Sequence, residues 1–200
     1  GVQTCALPIY PFEATSMIIA HIPEGARVLD VGCGTGAGSM LIRDARGAEV
    51  VGLEPDPIRA IKAESRGICV VNALFTSEAV SGLGRFDVVV FSDVLEHLVN
   101  PGPALLTAKG LLAAKGRVVS SVPNVAHWTV RFDLLFGHFS YREYGIRDAT
   151  HLRWFDKQGM LKLYEETGYN VVSYAVTAGV DLPEYGELLP WRWKIGRAHV

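Results

Sequence analysis

Residues 28–36 read VLDVGCGTG, and no other stretch of the chain restricts the fold as much. Val28, Leu29 and Val31 surround Asp30 as a short apolar run, the pattern of a central strand buried on both faces. Gly32, Gly34 and Gly36 then alternate. Glycine tolerates positive φ and carries no Cβ, so the chain can turn sharply here and bring bare backbone against a ligand. The pattern predicts a helix opening near Thr35 and carrying Met40, Leu41 and Ile42. Its unpaired N–H groups and positive dipole end face the crevice at the strand's carboxyl end, a setting for a carboxylate or a phosphate.

The rest of the chain alternates strand and helix patterns. Strands are predicted over 27–31, 49–53, 68–72, 86–91, 117–122 and 169–176, and helices over 13–22, 57–66, 103–113 and from Asp156 to Gly168. Pro57 and Pro103 fall in first turns, where a missing N–H costs nothing. Gly116 and Gly168 follow helix ends. Such alternation predicts an α/β fold: a Rossmann-like, doubly wound, mostly parallel sheet with helices on both faces. Two hundred residues with 49% apolar content can bury one good core, so a single domain is expected.

Bulk properties remove several function classes. A net charge of −2 and a pI near 6.3 give no electrostatic case for nucleic acid. No apolar run approaches the ~20 residues that span a bilayer. Cys33 and Cys69 lie in a turn and a predicted strand, which makes neither a disulfide framework nor a zinc site. A cytoplasmic location is the default expectation.

Both ends look foreign. Residues 4–9 can be encoded by ACG TGT GCT CTT CCG ATC, and residues 195–200 by ATC GGA AGA GCA CAC GTC. Apart from a one-base offset these are reverse complements, and they resemble a common sequencing adapter. Residues 1–9 and 195–200 are therefore read as translated adapter, excluded from fold reasoning. The expected domain is 10–194.

Two cofactor readings fit the glycine turn. Gly32-x-Gly34-x-x-Ala37 formally matches a dinucleotide fingerprint and so admits a nicotinamide. The fuller string, with Asp30 ahead of Gly32 and Gly36 closing the turn, resembles motif I of class I S-adenosylmethionine-dependent methyltransferases. Glu54, at the end of the second strand, can accept ribose hydroxyl protons under either reading. Asp56 competes with it as a cap for the next helix. The SDVLEHL segment, residues 92–98, resembles that of small-molecule methyltransferases, including ubiquinone-biosynthesis O-methyltransferases, and favours S-adenosylmethionine. The resemblance implies a cofactor set of Asp30, Gly32, Cys33, Gly34, Gly36, Glu54, Asn72, Ala73, Ser92 and Asp93. Asn72 stands where that family often has an acid contacting adenine; its amide can donate and accept, with Ala73 and Leu74 backbone as substitutes. Neither an N/D-P-P-Y/F signature nor a Pro-Cys nucleophile occurs, which argues against a nucleobase target.

Residues 121–155 are too long for an ordinary connection of ~2–6 residues. Aromatics, histidines and arginines crowd this segment, and residues 124–155 read as a lid over the methyl donor and acceptor. Val130, Phe132, Leu134 and Leu135 read instead as core. The stretches SVPNVAHW-x-VRF-x-LLFG and DATHLRWF resemble methionine-biosynthesis methyltransferase-like proteins and related bacterial enzymes. The resemblance also implies a final antiparallel strand inserted between strands five and six. No clear apolar strand follows Val176, so this seventh strand is expected to be lost.

Methyl transfer from a sulfonium is an in-line displacement whose leaving group needs no acid. Orientation alone can supply ~7–11 kcal/mol. An oxygen nucleophile also needs a base, worth ~10²–10⁴-fold. His97, His127 and His151 are the candidates, with Asp93 and Asp148 as carboxylate alternatives; His127 is preferred because it opens the lid. Glu96 and His97 alone do not establish a metal site, and none is expected. The function read from these features is methyl transfer to a small-molecule acceptor, at oxygen. A noncatalytic partner that kept the fold and a nicotinamide-dependent oxidoreductase are the alternatives.

Overall fold

The computed structural model describes residues 12–177 and 197–199. Helix α1 (Phe12–Ala20) leads into β1 (Arg27–Val31), α2 (Ala37–Arg46), β2 (Glu49–Leu53), α3 (Pro57–Glu64), β3 (Cys69–Val71), the short α4 (Ser77–Val80) and β4 (Phe86–Ser92). A 3-10 turn (Leu95–His97), α5 (Pro101–Leu111), β5 (Leu112–Val122), α6 (Trp128–Leu135), α7 (Lys157–Glu166), β6 (Ala175–Thr177) and β7 (Arg197–His199) complete the described elements. The sheet order is β3-β2-β1-β4-β5-β7-β6, with β1 to β5 parallel. The order reverses between β1 and β4, and that switch point opens a crevice at the strands' carboxyl ends.

The alternation of strand side chains explains the double layer. Val28, Val50, Val88 and Val90 pack with Ile18, Ile22 and Ile42 on one face. Leu29, Val51, Val89 and Phe91 pack with Leu105, Met160 and Tyr164 on the other. Successive residues point to opposite faces, so a strand covered on both sides must be apolar at nearly every position.

Several expectations need correction. An antiparallel strand does stand in the seventh position: β7 pairs with Ser121 and Val122 of β5 and with all of β6. It comes from the terminal segment read as adapter. Ladder bonds are made by main chain, so three residues of any sequence but proline can complete such an edge. Residues 178–194, where a further strand was sought, lie outside the described residues, as do residues 1–9. Strand six is shorter than predicted, since residues 169–174 are irregular. Gly116 does not end a helix but lies inside β5, where the register with β4 shifts between Phe86 and Val88. Its backbone is crowded there: a Cβ would lie 2.9 Å from Phe86 O. Helix α6, unpredicted, buries Val130, but Phe132, Leu134 and Leu135 are exposed rather than core.

Candidate cofactor and acceptor site

The glycine turn is clamped from two sides. Gly32 has φ +70°, and a Cβ there would meet Val94 Cγ2 at 2.7 Å; Gly36 has φ +77°, and its Cβ would meet Ala63 Cβ at 2.8 Å. The turn therefore fits only a chain without side chains at these points, between the loop after β4 and the end of α3. Its amides are largely committed inside the protein. Gly32 and Cys33 donate to Leu53 O at 2.7 and 3.1 Å, and Gly36 donates to Cys33 O at 2.9 Å. Gly34 donates to Glu54 Oε2 at 2.8 Å. With these four amides committed, the N–H groups of Thr35 and of α2's first turn are those left for a ligand.

Glu54 is 5% exposed, and its Oε1 also accepts from Asp56 N at 3.0 Å. Asp56 caps α3 through Ile58 and Arg59, as its competing reading expected. Asp30 is buried and accepts from Ser39 Oγ at 2.5 Å. Burial lifts its carboxyl to about 6; the Ser39 bond opposes this and the neighbouring Glu54 charge adds to it. Burial likewise pushes the Cys33 thiol up to about 12, with Asp30 and Glu54 adding, so Cys33 is neutral packing rather than a nucleophile. Thr15, Ile18, Asp30, Gly32, Cys33 and Ser92 are among the residues lining the narrow crevice. Thr15 and Ser39 were missed from sequence: one comes from a helix remote in sequence, the other sits past the motif's end.

Asn72 is less free than its residue type suggests. Its Nδ2 donates to Glu54 O at 2.8 Å and Pro55 O at 3.1 Å, which leaves only Oδ1 for a ligand. Ala73 N donates to Val71 O, so that amide is committed too. Across the crevice Ser92 Oγ stands 3.5 Å from Ser121 Oγ. Asp93 has φ +53°, and its N–H donates to Ser121 O and Ser121 Oγ at 3.0 and 3.1 Å. A left-handed aspartate at a strand's carboxyl end is the kind of strain that active sites hold.

The long insert is tied to the rest of the molecule at several points. Asn124 bridges Phe155, and Val125 N donates to Phe155 O at 2.9 Å. Leu152 N and Arg153 N both donate to Glu96 O, at 2.8 and 2.9 Å, and Arg153 Nε donates to Val99 O at 2.9 Å. Buried Arg147 holds Asp133 at 2.6 Å, tying α6 to the second half of the insert. These contacts set the insert beside the end of β4.

The three candidate histidines part company. His127 is buried and caps α6: its Nδ1 accepts from Thr129 N, with Thr129 Oγ1 2.8 Å away. His97 and His151 come together, with ring centroids 4.8 Å apart at 72°. Thr150 Oγ1 stands 3.2 Å from His97 Nδ1 and donates to Asp148 Oδ1 at 2.6 Å. His151 Nδ1 donates to Ile146 O at 3.0 Å, which leaves Nε2 as the acceptor, and burial lowers its pKa. Glu96, His97 and His151 offer ligand atoms within 4.8 Å of one another, close enough to share a divalent ion. Glu96 and His97 alone gave no such set; His151, 54 positions on, completes it. A larger cavity of about 490 Å³ lies elsewhere, between α1, the start of β5 and residues 168–175, and touches none of these groups.

A glycine turn at the switch point, an acid at the end of β2 and a strained end of β4 are the parts a nucleoside-sulfonium site needs. The family model described as a methyltransferase domain matches residues 10–174. The chain belongs to the methyltransferase-domain family. Its cofactor is S-adenosylmethionine, and the nicotinamide reading falls. A ubiquinone biosynthesis O-methyltransferase of Cereibacter sphaeroides is 36% identical over 106 residues, 50% of this chain and 42% of that protein. One from Agrobacterium fabrum is 32% identical over 133 residues, 56% of this chain and 53% of that protein. The chain thus spans about half the length of the curated relatives it matches. Among solved structures, a methyltransferase of Thermotoga maritima described as a possible histamine N-methyltransferase superposes with a TM-score of 0.67 at 17% identity. The match covers 93% of this chain and 85% of that one. At that identity the likeness establishes the methyltransferase fold alone.

Proposed function

We propose that this chain transfers the methyl group of S-adenosylmethionine to an oxygen of a small-molecule acceptor. The observation that carries the reading is the meeting of His97 and His151 beside the carboxyl end of β4, across the switch point from the glycine turn. The similarity to ubiquinone biosynthesis O-methyltransferases supports oxygen as the accepting atom. When bound, S-adenosylmethionine supplies an activated methyl on a sulfonium.

The protein's own work is then positioning and proton removal. The first turn of α2 offers N–H groups to the amino-acid carboxylate. Glu54 lies where ribose hydroxyls pass, and its oxygens each retain a lone pair beyond the two backbone bonds. The insert beside β4 aligns the acceptor, and alignment of this sort is worth up to ~7–11 kcal/mol. His97 or His151 takes up the oxygen's proton on a free ring nitrogen; a divalent ion held by Glu96, His97 and His151 would instead polarise the hydroxyl, whose proton would leave to solvent. His127, whose Nδ1 is spent on the helix cap, has a supporting place in the insert. The domain is 10–194, and its place is the cytoplasm; among the described residues no helix is long and apolar enough to cross a membrane.

The test is transfer of labelled methyl from S-adenosylmethionine to hydroxyl compounds in a metabolite extract, with and without a chelator. Labelled ether products that vanish in His97→Ala and His151→Ala are expected. Products methylated at nitrogen, or full turnover in both variants, would overturn the reading. Tight S-adenosylhomocysteine binding with no transfer to any acceptor would favour a noncatalytic partner instead.

A further inference from the structure

Arg66 is not part of any motif read from the sequence, yet it reaches the centre of the cofactor turn. Its Nη1 donates to Thr35 O at 2.6 Å and to Thr35 Oγ1 at 2.9 Å. Thr35 lies between Gly34 and Gly36, in the one stretch of the turn where neither Leu53 nor Glu54 supplies a brace. Arg66 is itself fixed. Its own N–H donates to Ala63 O at 3.0 Å, and its carbonyl accepts from Arg43 Nη1 at 3.0 Å. The same short segment backs Gly36, where Ala63 Cα lies 2.9 Å and Ile68 Cγ1 3.4 Å from the position of a Cβ.

We infer that Arg66 is a positioning residue for the cofactor: it orients the Thr35–Gly36 peptide and so aims the first N–H groups of α2 into the crevice. A planar peptide has a single rotational degree of freedom between its two Cα atoms, so gripping the carbonyl sets the plane. Pulling Thr35 O outward onto a guanidinium turns the Gly36 N–H inward, where it finds Cys33 O at 2.9 Å. Gly36, in the left-handed region and without a side-chain cap, has no rotational preference of its own to hold this arrangement. Arg66 supplies from outside what a serine or aspartate cap supplies at most helix starts. Its guanidinium reaches a carbonyl and a hydroxyl at once through a charged donor, which makes the grip directional as well as strong.

This inference rests on S-adenosylmethionine occupying the crevice, and the test separates the two. S-adenosylhomocysteine is titrated calorimetrically into the full 200-residue chain and into Arg66→Met, Arg66→Lys, Thr35→Val and Arg66→Met/Thr35→Val, with melting curves for each. Arg43→Met is the control, because it loosens the same segment without touching the turn. Arg66→Met is expected to weaken binding five- to tenfold, and Arg66→Lys to recover part of the loss. The Thr35→Val effect should largely disappear in the Arg66→Met background, as coupled partners require. Arg43→Met should stay within twofold of the parent despite a comparable fall in melting temperature. Equal weakening in Arg43→Met and Arg66→Met, or unchanged affinity in Arg66→Met, would overturn the inference while leaving the cofactor reading intact. A parent chain that binds no S-adenosylhomocysteine would overturn both. Should Arg66→Met fail to fold, Arg66→Lys and Thr35→Val decide the matter by the same comparison.

Discussion

Glu54 Oε2 lies 2.8 Å from the amide nitrogen of Gly34, and the other oxygen of that carboxylate lies 3.0 Å from the amide of Asp56. One buried acid at the end of β2 thereby ties the cofactor turn to the start of α3. Removing it leaves two N–H groups short of a partner, at about 1–3 kcal/mol for each that stays buried. Glu54→Ala is expected to weaken S-adenosylhomocysteine binding more than tenfold and to lower the melting temperature by several degrees. Glu54→Gln, which keeps one acceptor oxygen, should fall between. Unchanged affinity in Glu54→Ala, read by calorimetry, would remove Glu54 from the site.

Cys33 fills the space that a methyl on Gly52 would need. A Cβ on Gly52 would stand 2.6 Å from Cys33 Sγ. Gly52→Ala should therefore destabilise by about 1–3 kcal/mol, the usual cost of overpacking a core. Cys33→Ala removes the sulfur, so the double variant should be more stable than Gly52→Ala alone. Chemical denaturation of the four proteins measures this; additive losses would show that the clash is not the cause.

Asp30 gives stability a pH dependence. Its folded value of about 6 exceeds the 3.8 of an unperturbed carboxyl. A raised pKa means that the folded state binds the proton more tightly, so this stability is full below pH 3.8 and is lost as pH rises through 6. Asp30→Asn, which keeps an acceptor for Ser39, should gain on the parent across that window. At pH 7.5 the gain is about 3 kcal/mol at most. Denaturation at pH 4 and pH 7.5 tests it, and a constant difference between parent and variant would refute it.

Arg147 is buried and pairs with half-exposed Asp133 at 2.6 Å. Losing the acid strands a buried cation; losing both charges does not. Asp133→Asn should cost about 2 kcal/mol, somewhat less than a fully buried pair because water screens the aspartate. Arg147→Met/Asp133→Asn should cost less than Asp133→Asn. Limited proteolysis within residues 128–149 should rise in the single variant, and cleavage no faster than in the parent would contradict the tie.

Much of the fold was readable because its signals are local. Both faces of β1, β2 and β4 are covered, and the residues 28–31, 50–53 and 88–91 show it as apolar runs, interrupted by one acid in the first, by one glycine in the second and by neither in the third. Boundaries of β1 and β2 agree to the residue. The cofactor turn was legible because alternating glycines mark positive φ. Helix α6 was not, since its outward Phe132, Leu134 and Leu135 have the composition of core. The seventh strand was misjudged because main-chain pairing leaves no mark on composition.

By itself, then, the sequence determined the strand and helix alternation, the turn and the acid that follows it, since period-2 burial and glycine φ are properties of neighbouring residues. Tertiary structure alone decided who holds whom. It spent the turn's amides on Leu53 and Glu54, and it brought His151 to His97 across 54 positions and Arg66 to Thr35 across 31. Side-chain partners chosen by packing depend on the path of the whole chain, and no local pattern carries that information.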